Sequence, residues 1–206
     1  MYEILMGFAL WGGIAAAPAT REDACLVPKT LENWRYERLP FPLSFAPDLK
    51  YDGFEELRFA PGMFNPESDT YFTYIFAVRL EGKHKIDADF VRTFLLKYYR
   101  GLCKAVGEDR DPPLDLDKIS VAVEKGKDER TGREVFHAEV AMFDVFVTGK
   151  PLTLSVEIVA AVDSDADATC MFALASPKPK KHKVWKLLYD LRPRFSCASD
   201  KPQEIK

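Results

Sequence analysis

A period of two in hydrophobicity runs through most of the chain after residue 53. It is clearest at 152–163, LTLSVEIVAAVD, where every second residue from Leu152 to Val162 is apolar. Successive side chains of a β-strand point to opposite faces, so this segment is expected to form a strand with one buried face. Other segments with strand character lie at 53–60, 71–82, 116–126, 133–147 and 169–176. Short turn-forming sequences separate the later strands, which predicts antiparallel neighbours.

Apolar residues recur at helical spacing in two places. One helix is expected to begin after Asp87, a residue type that caps helix N-termini, and to end at Gly107. A second helix is expected at 181–191, where apolar residues at i, i+3, i+4 and i+7 form one stripe. The order β-β-α-β-β-β-β-α predicts the α+β class. The expected architecture is an antiparallel, curled sheet of about six strands with both helices packed on one face.

Residues 1–19 are interpreted as a signal peptide. An apolar stretch begins at Ile4, and Ala17-Pro18-Ala19 places small residues where signal peptidase cleaves. Glu3 is atypical because a basic residue is usual there, and an N-terminal helix packed on the domain is the alternative. The stretch is shorter than the roughly 20 residues that span a bilayer. No membrane span is therefore expected in the mature chain.

The remainder is expected to form one domain. Residues 20–53 form an irregular, aromatic-rich lead-in, because three prolines between residues 40 and 47 exclude a helix interior or a central strand. Residues 54–197 form a single α+β domain, and residues 198–206 form a flexible tail.

The four cysteines suggest an oxidising compartment. Cys25, Cys103, Cys170 and Cys197 are widely spaced and contain no C-x-x-C pair, which argues against zinc. A helix at 181–191 that packs back along the last strand brings Cys197 within reach of Cys170, which leaves Cys25 and Cys103 as the other candidate pair. Free buried thiols are the alternative. Together with the signal peptide, this pattern predicts a secreted or periplasmic protein.

Known catalytic motifs are missing from the sequence. It contains no nucleophile elbow, P-loop, dinucleotide fingerprint or zinc-protease helix. His84, His137 and His182 lack metal-ligand spacing. The acidic turn that begins at Asp163 has Ala168 and Leu174 where a calcium loop needs glycine and glutamate. No metal and no cofactor are therefore expected.

Asp144 is the one candidate for acid–base chemistry. In VAMFDVFV it shares its parity with Met142 and Phe146, so it would lie on an apolar face. A carboxylate there must be paired, hydrogen-bonded or neutral, and a shifted pKa would suit a general acid or base. The favoured interpretation is instead a β-bulge that turns Asp144 toward solvent near the following turn.

A surplus of aromatic residues predicts a second kind of site. A curled sheet gripping a helix can leave an apolar cavity with a few polar groups. The alternative is that the rings fill the core. The candidate ligand-binding residues are Phe72, Tyr74, Phe76, Tyr98, Tyr99, Met63 and Phe64.

Charge distribution argues against nucleic acid as a partner. Residues 178–206 carry nine basic and three acidic residues, so they sum to +6 and the rest of the chain sums to −9. The lysines of this run are expected to face water on the second helix. The expected function is an exported, non-catalytic domain that binds a small apolar ligand or a protein partner. The alternative is a small hydrolase-like or isomerase-like enzyme with Asp144 as acid or base.

Overall fold

A computed structural model describes residues 26–28, 31, 33–163, 167–195 and 197. The predicted signal peptide, Cys25 and the predicted tail lie outside these residues. The strands and helices are β1 Arg35–Pro40, β2 Gly53–Phe59, β3 Tyr74–Glu81, α1 Ala88–Val106, β4 Ser120–Lys127, β5 Glu134–Phe143, β6 Pro151–Asp163, β7 Ala168–Ser176 and α2 Lys183–Leu191. All strand pairs are antiparallel, in the order β1-β2-β3-β7-β6-β5-β4. The predicted α+β class is confirmed, with seven strands where about six were expected.

The additional strand is β1, which lies in the segment predicted to be irregular. It occupies one edge of the sheet and pairs only with β2, with Arg35 opposite Phe59 and Pro40 opposite Phe54. Proline is tolerated there because one side of an edge strand needs no donors. The prolines therefore exclude a central strand, as expected, but they do not exclude an edge strand.

The predicted helix cap and the first predicted turn are present. The Asp87 carboxylate accepts a hydrogen bond from Phe90 N at 2.9 Å, and α1 begins at the next residue after Asp87. In the turn before β3, Met63 N donates to Ala60 O at 3.0 Å, and Gly62 has φ of 86°. This backbone conformation strains other residue types, which explains a Pro-Gly turn here.

The two helices cover opposite faces of the sheet, so the expectation of one helical face is wrong. On β3, Tyr74 and Phe76 pack in the core beneath α1, whereas Ile75 and Ala77 pack in a second core beneath α2. Both faces of β3 and β7 are apolar and buried. Central strands of this kind need cover on both sides, and one helix on each face supplies it.

Glu56 on β2 anchors the N-terminal lead-in to the α2 face. Its carboxylate is buried and accepts hydrogen bonds from Leu26 N at 2.7 Å and Val27 N at 3.1 Å. The Tyr36 hydroxyl and the Arg38 guanidinium also donate to it. Charge-assisted bonds of this kind are strong when buried, so the lead-in is held on the domain.

The predicted disulfide between Cys170 and Cys197 is confirmed, with the two Cα atoms 5.7 Å apart. The second candidate pair is not formed, because Cys103 is a free thiol. α1 buries Cys103 in the core, where its thiol faces the Phe143 carbonyl at 3.9 Å. Burial raises the pKa of Cys103 to about 11, which suits an inert structural thiol.

Within the described residues, neither helix is long and apolar enough to cross a membrane.

Loss of the disulfide should lower stability substantially. A cross-link across a sequence separation of 27 restricts the unfolded chain, and the chain-entropy relation gives about 3.5 kcal/mol. A Cys170→Ala/Cys197→Ala variant is therefore expected to unfold at lower urea concentration than the wild type. Reductant should bring the wild type close to the variant and leave the variant unchanged. Equal midpoints without reductant would show that the link does not form.

Candidate functional site

Six of the seven predicted ligand-binding side chains are buried in the α1 core. Phe76 stacks on Tyr98 at 5.9 Å between ring centroids, and Tyr74 lies 6.0 Å from Phe76. Phe64 is the exception, 38% exposed, with its ring 5.6 Å from Phe146. The buried members are Met63, Phe72, Tyr74, Phe76, Tyr98 and Tyr99. This packing fits the core-filling alternative, and ligand binding by the set stays a prediction.

A buried acid, Glu55, lies within this aromatic core. Glu55 on β2 is fully buried, and neither carboxyl oxygen has a hydrogen-bond partner of normal geometry among the described residues. Burial raises its pKa to about 8, with Tyr98 acting in the opposite direction and Glu37 adding to the increase. The adjacent Tyr74 and Tyr99 hydroxyls bond each other at 2.6 Å. A neutral carboxyl group at pH 7 is what this enclosure favours.

Asp144 is buried, so the predicted exposure through a β-bulge is wrong. β5 ends at the preceding residue, and the following loop closes over the carboxylate, which is 1% exposed. It accepts hydrogen bonds from Phe146 N at 3.2 Å and Val147 N at 3.0 Å. Thr148 N at 2.7 Å and the Tyr71 hydroxyl at 2.6 Å complete the set.

Those hydrogen bonds decide the charge of Asp144. Burial by itself raises its pKa, but the bonds from Tyr71 and Thr148 outweigh burial and hold the pKa below its usual value. Both oxygens are occupied by donors that shape the loop. Asp144 is therefore an ionised organiser of the β5–β6 turn, a role that needs no substrate.

The three histidines are engaged separately, each with its own neighbour. His84 Nε2 lies 2.8 Å from Glu81 O, and His182 caps α2 through Nδ1, which accepts from Val184 N at 3.3 Å. His137 Nδ1 lies 3.5 Å from Glu157. Within the described residues, no group of histidine, cysteine or acidic side chains has the arrangement of a metal site.

A charged network on the α2 face was missed by sequence reasoning. Its centre is Glu157 on β6, which is 3% exposed. The Glu157 carboxylate accepts hydrogen bonds from Lys180 Nζ at 2.6 Å and from the Tyr189 hydroxyl at 2.9 Å, and it also pairs with Arg192. Burial alone raises the pKa of Glu157, but Lys180 and Arg192 outweigh burial and lower it. Lys180 also lies 3.2 Å above the Trp185 ring, so it does not simply face water as predicted.

Arg192 extends the network to the β4–β5 turn. Its second guanidinium nitrogen pairs with Asp128, whose side chain is 6% exposed. The other Asp128 oxygen accepts from Arg130 N and Thr131 N, both at 2.9 Å, and thereby shapes the turn. Burial opposes ionisation, but the bonds from Arg192 and Thr131 bring the pKa of Asp128 to about 2. One guanidinium thus joins the hairpin, β6 and the end of α2.

Beside this network lies a cleft of about 430 Å³, here called the β6–α2 cleft. Its apolar lining includes Val159 and Ala161 of β6 and Phe195 after α2. Phe195 is held by stacking on Phe172 at 4.9 Å, and the disulfide half Cys197 faces Ala161 O. The charged and remaining lining residues are Asp128, Arg130, Thr131, Arg133, Glu134, Ala160, Tyr189, Arg192 and Pro193. The volume is in the range of small-ligand sites.

A second cleft of about 460 Å³ lies between the loop after α1 and the β5–β6 turn. Arg110 lines it and donates to Val145 O at 2.7 Å, so this guanidinium is used in part to hold the loop. Lys118, also in the lining, pairs with Asp115 at 3.4 Å. Neither cleft is lined by any of the seven predicted aromatic and methionine residues.

The charges of the β6–α2 cleft do not cancel. Asp128, Glu157, Arg192 and Lys180 neutralise one another, and Glu134 is paired with Lys125 at 2.5 Å. What remains is carried by two arginines of the β4–β5 turn. Their side chains are exposed and line the cleft: Arg130 and Arg133.

Arg130 and Arg133 have weak internal ties. Arg130 pairs with Asp190 at 3.3 Å, but Asp190 is 51% exposed and is shared with Lys186 at the same distance. The side chain of Arg133 makes no ion pair or hydrogen bond with the described residues. Both arginines stand in the sequence KDERTGR, but from the sequence this segment was interpreted only as an exposed turn.

The chain matches no protein-family model, no curated protein and no solved structure.

Proposed function

We propose that the protein is an exported, non-catalytic binding domain that holds a small ligand in the β6–α2 cleft. The observation that carries the proposal is the combination of an apolar floor, Val159 and Ala161, with two exposed arginines, of which Arg133 has no side-chain partner among the described residues and Arg130 has one exposed ion pair, to Asp190. Pockets for small molecules combine apolar walls with a few placed polar groups in this way.

Two features support export and a preformed site. The Cys170–Cys197 disulfide supports an oxidising compartment, because cytosolic thiols are normally kept reduced. The same disulfide ties the segment after α2 to β7, next to the cleft wall. Asp144 offers less support for the enzyme alternative, since its oxygens already accept hydrogen bonds from Val147 and Thr148.

A protein partner is the second candidate. It is favoured by an apolar surface at the other end of the sheet, where Phe64 and Val147 are each 38% exposed and Phe64 packs on Phe146. Exposed apolar patches often mark contact sites. The β6–α2 cleft offers more enclosed contact to a small ligand.

Filling the cleft should abolish ligand binding. The test uses two fluorescent probes with one aromatic body, neutral N-phenyl-naphthylamine and anionic anilinonaphthalene sulfonate. Ala161→Phe places a ring on the half-buried floor and is expected to remove the fluorescence increase of both probes. Val162→Phe is the matched control, because Val162 is the next residue on β6, is 53% exposed and does not line the cleft.

The outcomes separate the two candidate surfaces. Loss of probe binding in Ala161→Phe but not in Val162→Phe supports the cleft. Probe binding that survives in Ala161→Phe and disappears in Phe64→Ser would assign it to the apolar surface instead. No fluorescence increase with either probe in the wild type would count against a small-ligand site altogether.

A further inference from the structure

We infer that the ligand of the β6–α2 cleft is a small organic acid, with its carboxylate or comparable oxyanion on Arg130 and Arg133 and its apolar body on β6. This inference rests on the proposed function and adds the chemical class of the ligand. It follows from how weakly Arg130 and Arg133 are held and from the apolar residues that line the cleft with them.

The three arginines that line the cleft differ in how easily their guanidinium groups could bind a ligand. Arg192 is held between Asp128 and Glu157, both almost fully buried, so a ligand would have to break two buried ion pairs to use it. Arg133 is exposed, and its guanidinium has no partner in the described part of the chain. Arg130 would exchange one exposed contact, to Asp190, for a ligand. Exposed pairs contribute little, so this exchange is easy.

The Arg130 guanidinium also packs against an aromatic ring, which favours its binding of a carboxylate. Its guanidinium lies 5.2 Å from the centre of the Tyr189 ring, which limits the directions available to it. A guanidinium binds carboxylates through two parallel hydrogen bonds, and pre-positioning lowers the entropy lost on binding. Arg133 follows three residues later in the same turn, where Gly132 has φ of 68°.

The cleft carries a local positive charge, although the protein as a whole is acidic. The whole protein has a formal charge of −3, yet the two charged side chains of the cleft that are not held in buried pairs or the Lys125–Glu134 pair are both cationic, Arg130 and Arg133. Lys127 and Glu129, the other exposed charges of the turn, do not line the cleft and offset each other. A cationic ligand would meet repulsion there, and a neutral one would leave both guanidinium groups unused.

The floor requires an apolar body on the ligand. Val159, Ala161 and Phe195 line the same cleft as the arginines and carry no polar side-chain atoms. A cleft of about 430 Å³ has room for a body of the size of a fatty acid segment or a fused ring pair. A free inorganic anion would cover none of this surface.

The two anilinonaphthalene probes test the inference, with the sulfonate standing in for the carboxylate. Wild-type protein is expected to bind the sulfonate more tightly than the neutral probe, by about tenfold for each arginine that makes a charge-assisted hydrogen bond. Arg130→Ala/Arg133→Ala should lose this preference and keep its affinity for the neutral probe. Octanoate should displace the sulfonate at a lower concentration than octanol does.

Two further variants separate the role of these arginines from the general effect of removing an exposed positive charge. Arg92→Ala is the matched control, because Arg92 is 54% exposed and paired with exposed Asp89, much as Arg130 is 53% exposed and paired with Asp190. Arg133→Lys should retain part of the preference, since it keeps the charge and loses the two-pronged geometry. Unfolding curves should match the wild type, because the substituted side chains are exposed.

Failure of the inference and failure of the proposed function give different results. Equal affinity for both probes, with loss of both in Ala161→Phe, would overturn the organic-acid assignment and leave the cleft as the site. Binding of neither probe, or binding that Ala161→Phe does not change, would overturn the proposed function as well.

Discussion

Replacing Glu55 with glutamine is expected to stabilise the protein at pH 8 and to have little effect at pH 4.5. Burial raises the pKa of Glu55 from 4.5 to about 8, so the folded state keeps a proton that the unfolded state has lost between these pH values. The free energy of unfolding therefore falls as pH rises through this window. Below it both states are protonated, and above it both are ionised. The linkage relation gives a loss of about 5 kcal/mol across the window from this one group.

Groups on every packed element face Glu55, and the glutamine substitution leaves them unchanged. They are Tyr98 and Tyr99 on α1, Tyr74 on β3 and Glu37 on β1. Burial raises the pKa of each of the three tyrosines, so their hydroxyls stay protonated through this range. The difference between variant and wild type thus isolates Glu55.

Urea unfolding at intervals from pH 4.5 to pH 9 measures this difference. The wild-type stability should slope downward relative to Glu55→Gln, and the two should meet at the acidic end. Glu56→Gln is the matched control, because Glu56 is the next residue and equally buried, but it accepts hydrogen bonds from Leu26, Val27 and Tyr36. That substitution should destabilise the protein at pH 8. Parallel curves for Glu55→Gln and the wild type would show that Glu55 does not titrate in the window.

Local patterns predicted most of the elements correctly. The alternation at 152–163 corresponds to β6, Pro151–Asp163, because one face of this strand is buried along much of its length. The Asp87 cap and the Gly107 stop depend only on neighbouring residues and are both present. The Cys170–Cys197 link was within reach because a short helix reverses the chain between them.

Tertiary relations account for the errors. ATCMFALAS of β7 is apolar at both parities, and this continuous run indicates burial on both faces, which requires one helix on each side. β1 has no clear alternation, because its partly exposed edge position does not demand one. The strand alternation used for Asp144 does not reach it, because β5 ends at Phe143 and Asp144 belongs to the turn that encloses its carboxylate.

The candidate site could not be predicted because its parts come from distant segments. Arg133, Ala161 and Phe195 lie in a turn, a strand and a segment after a helix, and only the fold brings them to one cleft. The aromatic residues, in contrast, were correctly located near one another. Their density reflects core packing, in which rings contact rings, as Phe76 and Phe94 do with Tyr98.

Replacing Arg192 with methionine is expected to lower the free energy of unfolding by about 4 kcal/mol at pH 7. Methionine keeps the apolar stem but removes the positive charge shared by two buried carboxylates, Asp128 and Glu157. Glu157 would retain Lys180, whereas Asp128 would keep only hydrogen bonds from its own turn. An uncompensated buried charge is the costly outcome, more than the loss of the pair itself.

The pH dependence of this loss identifies its cause. The bonds from Arg192 and Thr131 outweigh burial and bring the pKa of Asp128 from 3.8 to about 2. In the wild type this contribution to stability is present above the unfolded value and is lost as pH falls toward 2. The gap between wild type and Arg192→Met should therefore narrow between about pH 4 and pH 2.

Two control variants complete the measurement by urea unfolding. Arg92→Met removes an exposed pair and should change stability by less than about 1 kcal/mol. Adding Asp128→Asn to Arg192→Met removes the stranded charge and should recover part of the lost stability, because a neutral replacement of a buried ionic group avoids the desolvation penalty, while Glu157 keeps its pair with Lys180. If Arg192→Met alone costs no more than Arg92→Met, Arg192 does not join the hairpin, β6 and the end of α2. The floor and rim of the cleft would then be positioned by the disulfide and the apolar core beneath α2.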